Sequence, residues 1–247
     1  MASTNETGHA KNVANFDDMI SYIHGYETTY NPSKPSIKLD ALQTLSTDAK
    51  NVSDRVNSAL GAYKNAIAAR DSVFSLLSKL VTRALNALKA TSSTSQVDES
   101  ASAFVRKIHG RRASAKKTEE EKKADAAAGK ETVQISASQM SFDSQLDNFD
   151  KFLKLLSGVD VYTPNEDDLK ISSLTSFYND LKAKNNTVAT AAVSLSNARI
   201  ARNEILYKDI TGLVDVTCDV KTYVKSVFGA TSPQFKQISR LKFTRHQ

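Results

Sequence analysis

The sequence predicts an all-α protein built from two similar helical repeats and arranged as an elongated helical bundle. Three observations predict this class. Only 8 glycines and 4 prolines occur in 247 residues, and both residue types weaken or break helices. Apolar residues recur at spacings of three and four over long stretches, as they do on one face of a helix. The third observation is that a segment of the first half returns in the second half.

This returning segment is NFDDMISYIHG at residues 15–25, which reappears as NFDKFLKLLSG at residues 148–158. Further along, YNPSKPSIKLDAL at residues 30–42 aligns with YTPNEDDLKISSL at residues 162–174. A colinear series of matches indicates a tandem duplication. The predicted division is helical repeat 1 over residues 12–110, a linker rich in Lys, Glu and Ala over 111–140, and helical repeat 2 with a basic C-terminal tail over 141–247.

Each repeat is predicted to open with a short amphipathic helix, over residues 13–24 and 141–157. Gly25 and Gly158 are placed to end these helices, because glycine is common just after a helix C-terminus. Short polar side chains favour the N-cap, where they accept hydrogen bonds from free backbone amides. The predicted N-caps are Asn15 or Asp17 in the first helix and Ser141 or Asp143 in the second.

A long, coiled-coil-like helix is predicted to follow in each repeat, within residues 36–91 and 167–228. Its apolar seam in repeat 1 consists of Leu42, Leu45, Ala49, Val52, Val56, Ala59, Tyr63, Ala66, Val73, Leu77, Leu80, Ala84 and Ala87. The seam in repeat 2 consists of Leu174, Phe177, Leu181, Val188, Ala191, Leu195, Ala198, Ile205, Leu213, Val216, Val220 and Tyr223.

The second seam is predicted to break at residues 182–187, to loosen near Gly212 and to end at Gly229 and Pro233. Two arrangements remain open for each long run. It forms one helix of roughly 50 residues, or it folds back as a helical hairpin. The single helix is favoured, because no Asn-Gly or Pro-Gly dipeptide marks a turn.

Arg70 interrupts the apolar seam of repeat 1, and Arg202 interrupts that of repeat 2 at the aligned position. One interpretation places each arginine at the edge of the seam with its charge in solvent. The other is a polar layer that fixes the register where the two repeats meet, because a buried polar group favours one alignment of helices. The residues assigned to this layer are Arg70, Asp71, Arg202 and Glu204.

Positive charge is concentrated at the ends of the two repeats, in residues 101–118 and 220–247, neither of which contains an acidic residue. The predicted basic contact surface consists of Arg106, Lys107, Arg111, Arg112, Lys116, Lys117, Lys236, Arg240, Lys242 and Arg245. Two partners suit it. One is the phosphate backbone of nucleic acid, although few aromatic residues for base stacking lie nearby. The other is acidic surface on a second copy, at residues 166–168 or 17–18.

No catalytic, phosphate-loop or zinc-binding motif occurs, and the four histidines are scattered. We therefore expect no enzyme activity, cofactor, metal or small-molecule substrate. No run of about 18 apolar residues is present, so no membrane span is expected. The N-terminus does not have the pattern of a secretory signal and the chain has one cysteine, so a cytoplasmic location is predicted.

Several segments together, "YTPNEDDL", "NARIARNEILY" and "YVKSVFGATSPQFKQISRLKF", carry a resemblance that covers most of the chain. With "NFD" and "YNPS", they make the sequence similar to a family of uncharacterised, two-repeat, all-helical proteins of Bacteroidota type. The resemblance implies a bacterial, cytoplasmic, all-helical protein. It implies no activity and no catalytic residues.

The function expected from these features is structural and non-enzymatic. A duplicated chain carries two similar surfaces, which suits repetitive assembly, so the expected partner is a second copy in a homo-oligomer, filament or scaffold. The alternative is a basic accessory protein that associates with nucleic acid.

Overall fold

The structure, a computed structural model, describes residues 7–111 and 140–246. All regular structure in these ranges is helical, which confirms the all-α class. The helices are α1 (Thr7–His24), α2 (Leu39–Lys89), α3 (Ser95–Ile108), α4 (Phe142–Ser157), α5 (Ile171–Tyr207), α6 (Leu213–Phe228) and α7 (Pro233–Ser239). Nearly all of the predicted linker lies outside the described residues.

The chain divides into two compact units. Unit 1 comprises Met1–Lys64 and Ala191–Gln247, and unit 2 comprises Asn65–Thr190. Each unit takes helices from both predicted repeats. Unit 1 contains α1, the beginning of α2, the end of α5, α6 and α7, whereas unit 2 contains the end of α2, α3, α4 and the beginning of α5.

The core of unit 1 is built on the apolar face of α1. Phe16, Met19 and Ile23 lie one helical turn apart and are all fully buried, because spacings of three and four place them on one side of the helix. They pack with buried side chains of the other elements of the unit: Ile37, Leu42, Ala49, Leu206, Leu213, Val216, Val220, Val224 and Ile238.

The core of unit 2 is built in the same way on α4. Phe149, Phe152 and Leu156 are fully buried and take the places that Phe16, Met19 and Ile23 have in the sequence alignment. They pack with the end of α2, with α3 and with the beginning of α5, through Leu77, Val81, Ala84, Leu88, Ala101, Val105, Ile108, Leu174 and Leu181.

The predicted boundaries of the short helices are partly confirmed. α1 ends at His24 and α4 at Ser157, next to the two predicted glycines, and Ser141 caps α4 by accepting a hydrogen bond from the amide of Ser144 at 3.1 Å. The N-caps proposed for the first helix, Asn15 and Asp17, are wrong. α1 already begins at Thr7, so both residues lie inside it.

The long runs differ from each other. α2 is a single helix of 51 residues, whereas the second run is divided into α5, of 37 residues, and α6. The predicted break at residues 182–187 is wrong, because α5 is continuous there. The helix ends near Gly212 instead, where an added Cβ would lie 2.6 Å from the backbone N and O of Lys208, so only glycine fits this close turn.

In both long helices, burial follows only part of the predicted seam. In α5 buried residues recur every seven positions at Leu174, Leu181, Val188, Leu195 and Arg202, and Leu206, outside the predicted seam, is buried as well. The predicted Phe177, Ala191, Ala198 and Ile205 are only half-buried. In α2 the predicted Val73, Leu80 and Ala87 are only half-buried, and the fully buried side chains beside them are Val81 and Leu88. This part of α2 packs with both α3 and α4, so its buried stripe is wider than a two-helix seam.

Candidate anion-binding groove

Arg70, the first arginine of the predicted polar layer, lies against Phe142 at the start of α4. Its guanidinium carbon is 3.7 Å from the centre of the phenyl ring, a distance typical of a cation–π contact. Its Nε lies 3.4 Å from Oδ1 of the neighbouring Asp71, and the arginine side chain is only 16% exposed. The contact joins residues of the two predicted repeats inside unit 2, while the proposed role in register stays a prediction.

Arg202, the second arginine, is buried, with 5% of its surface exposed. Its Nε and Nη2 donate to Oδ1 of Asn203 at 3.1 and 2.9 Å. This burial contradicts the interpretation in which the charge extends into solvent. Glu204, assigned to the same layer, instead accepts a hydrogen bond from Lys208 at 2.5 Å on the helix surface.

The C-terminal part of the predicted basic surface is partly used inside unit 1. Arg245 donates from Nη2 to both carboxylate oxygens of Asp215 at 2.8 Å, and from Nη1 to Asp209 at 3.1 Å. The predicted surface residues Lys236, Arg240 and Lys242 are exposed and form no ion pair with a residue that the structure describes.

Residues 241–246, here called the C-terminal strap, are fixed along α1. The Asn12 side chain donates to the carbonyl of Thr244 at 2.7 Å and accepts from its amide at 3.1 Å. Asn15 donates to the carbonyl of Lys242 at 2.7 Å, and Lys221 donates to that of Leu241 at 2.6 Å. The backbone of the basic tail is thus bound within unit 1.

Three of the carboxylates predicted to meet a second copy are already paired within the chain. Asp17 is 2.9 Å from the ammonium of Lys50, and Asp167 is 2.6 Å from that of Lys170. Asp168 accepts two hydrogen bonds from Arg83. These pairs reduce the negative charge available to another molecule.

The first basic stretch, by contrast, borders an open groove in unit 2. The groove lies between the end of α2 and the end of α3 and has a volume of about 750 Å³. Two kinds of polar side chain line it. The first kind is cationic: Lys79, Arg83, Lys89, Arg106 and Arg111. The second kind carries hydroxyl groups: Ser75, Ser78, Thr82 and Ser102.

Four of the five cations in the groove have no acidic partner among the described residues: Lys79, Lys89, Arg106 and Arg111. Arg83 is the exception, because Asp168 binds it. Of the other residues predicted for the basic surface, Lys107 lies 5.9 Å from the ring of Phe104. Arg112, Lys116 and Lys117 lie outside the described residues.

Two of these cations are placed where a helix favours positive charge. Lys89 lies in the last turn of α2 and Arg106 in the last turn of α3, where free carbonyl groups carry partial negative charge. Lys79 lies ten residues before the end of α2, so the helix dipole does not account for it. The groove therefore holds more positive charge than its helix ends require.

His109, at the C-cap of α3, lies in the groove with both ring nitrogens bonded to α2. Its Nδ1 is 2.8 Å from the Ser78 hydroxyl and its Nε2 is 3.1 Å from the Thr82 hydroxyl. Burial, and then the positive charge of Arg111, lower the pKa of His109 below its ordinary value of 6.5. Of these two causes, the positive charge of Arg111 is the one that also favours an anion beside His109.

Two acidic residues of α3 lie toward one end of this surface. An adjoining hollow shares Lys89, Ser102 and Arg106 with the groove and adds Asp98 and Glu99 of α3. A long anion is therefore expected to lie toward His109 and Arg111 rather than toward the beginning of α3, because like charges repel.

Sequence reasoning found Arg106 and Arg111 but missed the α2 side of the groove. Lys79 and Arg83 are one turn apart, and no Asp or Glu occurs between Asp71 and Asp98. This acid-free stretch was the available signal. α3 itself was also missed, although Thr94 caps it by accepting from the amide of Val97.

Within the described residues, no group of three or more His, Cys, Asp or Glu is arranged to hold a metal ion. None of the helices that the structure describes is both long and apolar enough to cross a membrane.

The chain matches no family model, and neither a curated protein nor a solved structure is significantly similar to it. The resemblance to the Bacteroidota proteins stays a prediction.

Proposed function

We propose that this chain is a non-enzymatic helical protein that binds the phosphate backbone of nucleic acid in the α2–α3 groove. The observation that carries this proposal is the set of four groove cations that lack an acidic partner among the described residues, Lys79, Lys89, Arg106 and Arg111. Each lysine or arginine that neutralises a phosphate releases condensed counterions, which drives binding.

The lining of the groove favours contacts to phosphate and sugar rather than to bases. Among the described residues that line it, His109 is the only aromatic one, so stacking of bases is not expected to contribute. The hydroxyl groups of Ser75, Ser78, Thr82 and Ser102 are typical donors to phosphate oxygens. Binding should therefore depend little on sequence and strongly on salt.

The test is fluorescence anisotropy with labelled DNA and RNA oligonucleotides over a range of salt concentrations. Four phosphate contacts predict that log K falls with log salt at a slope of roughly −3 to −4. The double variant Lys79→Ala/Arg106→Ala should bind more weakly at every salt concentration. Its slope should be smaller in magnitude by about 2, because two contacts are lost.

The matched control is Lys64→Ala/Lys182→Ala, which removes the same charge from exposed lysines outside the groove. It should keep the slope of the wild type. An equal loss in both double variants would contradict the groove as the binding site. No binding at about 50 mM salt would contradict the proposed function itself.

Self-association is a second candidate, favoured by one exposed apolar face of α5 in unit 1. Val193 and Ile200 lie seven residues apart, on the same side of the helix, and are 60% and 64% exposed. No charged residue occurs over residues 185–198. Such a face suits a homo-oligomer, filament or scaffold in which a second copy covers it.

The tandem duplication that motivated this candidate is supported by one repeated detail. The Tyr30 hydroxyl donates to the carbonyl of Ile37 at 2.7 Å, and the Tyr162 hydroxyl to that of Leu169 at 2.9 Å. Each bond closes the extended connector before a long helix, at aligned positions of the two repeats. A shared ancestor of the two repeats would explain why the same bond spans seven residues in both.

Sedimentation velocity over a wide range of protein concentrations tests self-association. The wild type should form larger species as concentration rises, and Val193→Lys/Ile200→Lys should remain monomeric. Val161→Lys, which adds a lysine at another exposed apolar position, is the control. A wild type that stays monomeric throughout contradicts this candidate. Both candidates are compatible with the predicted cytoplasmic location.

A further inference from the structure

The bonds around His109 determine which ring nitrogen carries hydrogen when the ring is neutral. The Thr82 hydroxyl donates its single hydrogen to the carbonyl of Ser78 at 2.8 Å. Toward His109 it can therefore act only as an acceptor, so Nε2 of the ring is the donor across the 3.1 Å contact. A neutral imidazole has one N–H, so Nδ1 accepts, and the Ser78 hydroxyl donates to it over 2.8 Å.

Protonation of His109 reverses the second of these bonds. A charged imidazole carries hydrogen on both nitrogens, so Nδ1 now donates and the Ser78 oxygen becomes the acceptor. The hydroxyl hydrogen of Ser78 is then released from His109. Because Ser78 is exposed and lines the groove, this hydrogen can be donated to an anion there. Protonation thus adds one positive charge and one free donor at the same place.

We infer that His109 and Ser78, with Arg111 beside them, form a binding site for one phosphate group, here called the phosphate seat, and that protonation of His109 completes this seat. The inference rests on the proposed function, since it names the group within the nucleic-acid backbone that the groove holds most specifically. A phosphate at this place receives a charge-assisted hydrogen bond, which is stronger than a neutral one.

The charged side chains that line the groove with His109 in the described part of the chain are cationic. α2 contributes Lys79 and Arg83, α3 contributes Arg106, and Arg111 follows α3. Asp168, from the turn Asp167–Leu169, is held by Arg83, and Asp98 and Glu99 lie in the adjoining hollow, whose lining does not include His109. A bound anion offsets the burial and the charge of Arg111 that lower the pKa of His109, so it should raise that pKa.

The expected linkage is reciprocal. If an anion raises the pKa of His109, protonation must strengthen anion binding by the same factor. We expect oligonucleotide affinity to rise on the order of fivefold as the pH is lowered from about 8 through the lowered pKa of His109. The increase should disappear in His109→Gln, whose amide carries no charge at any pH.

Two measurements test this. The first follows the imidazole signals of all histidines by NMR with and without sulfate, which mimics phosphate but keeps a constant charge over this pH range. His109→Gln assigns the signal. The pKa of His109 should rise with sulfate, and in Ser78→Ala it should rise less, because the released donor is missing. An unchanged pKa in the wild type overturns the inference.

The second measurement compares oligonucleotide binding by wild type, His109→Gln and the control His24→Gln, which alters an exposed histidine at the end of α1. The control should keep the pH dependence of the wild type. If wild type and His109→Gln bind with the same pH dependence, the phosphate seat is wrong and the proposed function stands. If sulfate raises the pKa but no oligonucleotide binds, the seat stands for small anions and nucleic acid is excluded as its ligand.

Discussion

The basic residues of the two units are used in different ways. In unit 1, Arg245 binds Asp215 and Asp209, Lys34 binds Asp219, and Lys50 binds Asp17. The groove of unit 2 contains cations of the same kind, four of which have no acidic partner among the described residues. In the C-terminal basic segment only Arg245 is paired in this way, since Lys236, Arg240 and Lys242 are exposed and form no ion pair with a described residue. The role of a basic residue thus follows from the acids beside it.

The acids near Arg245 lie where the second long run is interrupted. The turn between α5 and α6 and the first half of α6 contain Asp209, Asp215 and Asp219. The stretch of α2 that borders the groove contains none, since no acid occurs between Asp71 and Asp98. A basic residue beside these acids, such as Arg245, forms ion pairs within unit 1, whereas a basic residue without a neighbouring acid remains available to bind an anion.

The largest expected effect tests whether the cores of the two units contribute equally to stability, although their surfaces differ. Phe16 and Phe149 occupy aligned positions, and both are fully buried. Phe16→Ala and Phe149→Ala should each lower the free energy of unfolding by about 3–5 kcal/mol, because each leaves a cavity. Urea denaturation measures the loss.

Tyr22→Ala serves as the control for this comparison, because Tyr22 lies on the same helix as Phe16 and is 37% exposed. Its effect should be well below that of either phenylalanine. A loss under about 1 kcal/mol for one of the two phenylalanines would mean that its unit is loosely packed, and the comparison of equal cores would fail.

A smaller effect is expected from the residue that fixes the C-terminal strap. Asn12 is 2% exposed and satisfies both the amide and the carbonyl of Thr244. Asn12→Ala should lower the free energy of unfolding by about 1–3 kcal/mol, because it leaves buried polar groups without partners. Thermal or urea denaturation measures this.

Gln145 is the matched position in unit 2, 133 residues later, and it is only half-buried. Its side chain donates a single bond to the carbonyl of Met140, at 3.0 Å. Gln145→Ala should therefore cost only about 0.5 kcal/mol. Equal losses for Asn12 and Gln145 would show that the strap contributes no particular stability to unit 1.

The fold class and much of the local structure could be predicted because they depend on neighbouring residues. The seven-residue series from Leu174 to Leu195 marked the buried face of α5, and Gly25 and Gly158 marked the ends of short helices. Arg202 was found because it interrupts that series. Its burial beside Asn203 could not be predicted, since a surface arginine gives the same interruption.

The groove could not be predicted because it depends on contacts between distant residues. Arg111 and Lys79 are 32 residues apart in the sequence, and only the packing of α3 on α2 brings them to one surface. The division of the chain into two units could not be predicted either. A repeat in the sequence does not show whether its helices pack with each other or with those of the other repeat.

The smallest expected effect is a loss of stability in acid, which should occur at different pH values in the two units. The side chain of Arg245, and then the amide of Ile210, lower the pKa of Asp215 below its ordinary value of 3.8. Its contribution to the stability of unit 1 is therefore present above that value and is lost as the pH falls through the lowered pKa.

The pKa of His109 in unit 2 is also lowered, from 6.5. The folded state favours the neutral form of His109. Its contribution to the stability of unit 2 is therefore present above pH 6.5 and is lost as the pH falls through the lowered pKa. The amides of α3 should therefore lose protection against hydrogen exchange at a higher pH than those of α6. His109→Gln should remove the early loss, and Asp215→Asn should leave it unchanged. If α6 loses protection first, the ion pair between Arg245 and Asp215 is lost at a higher pH than the neutral form of His109. The expected order of the two units would then be wrong.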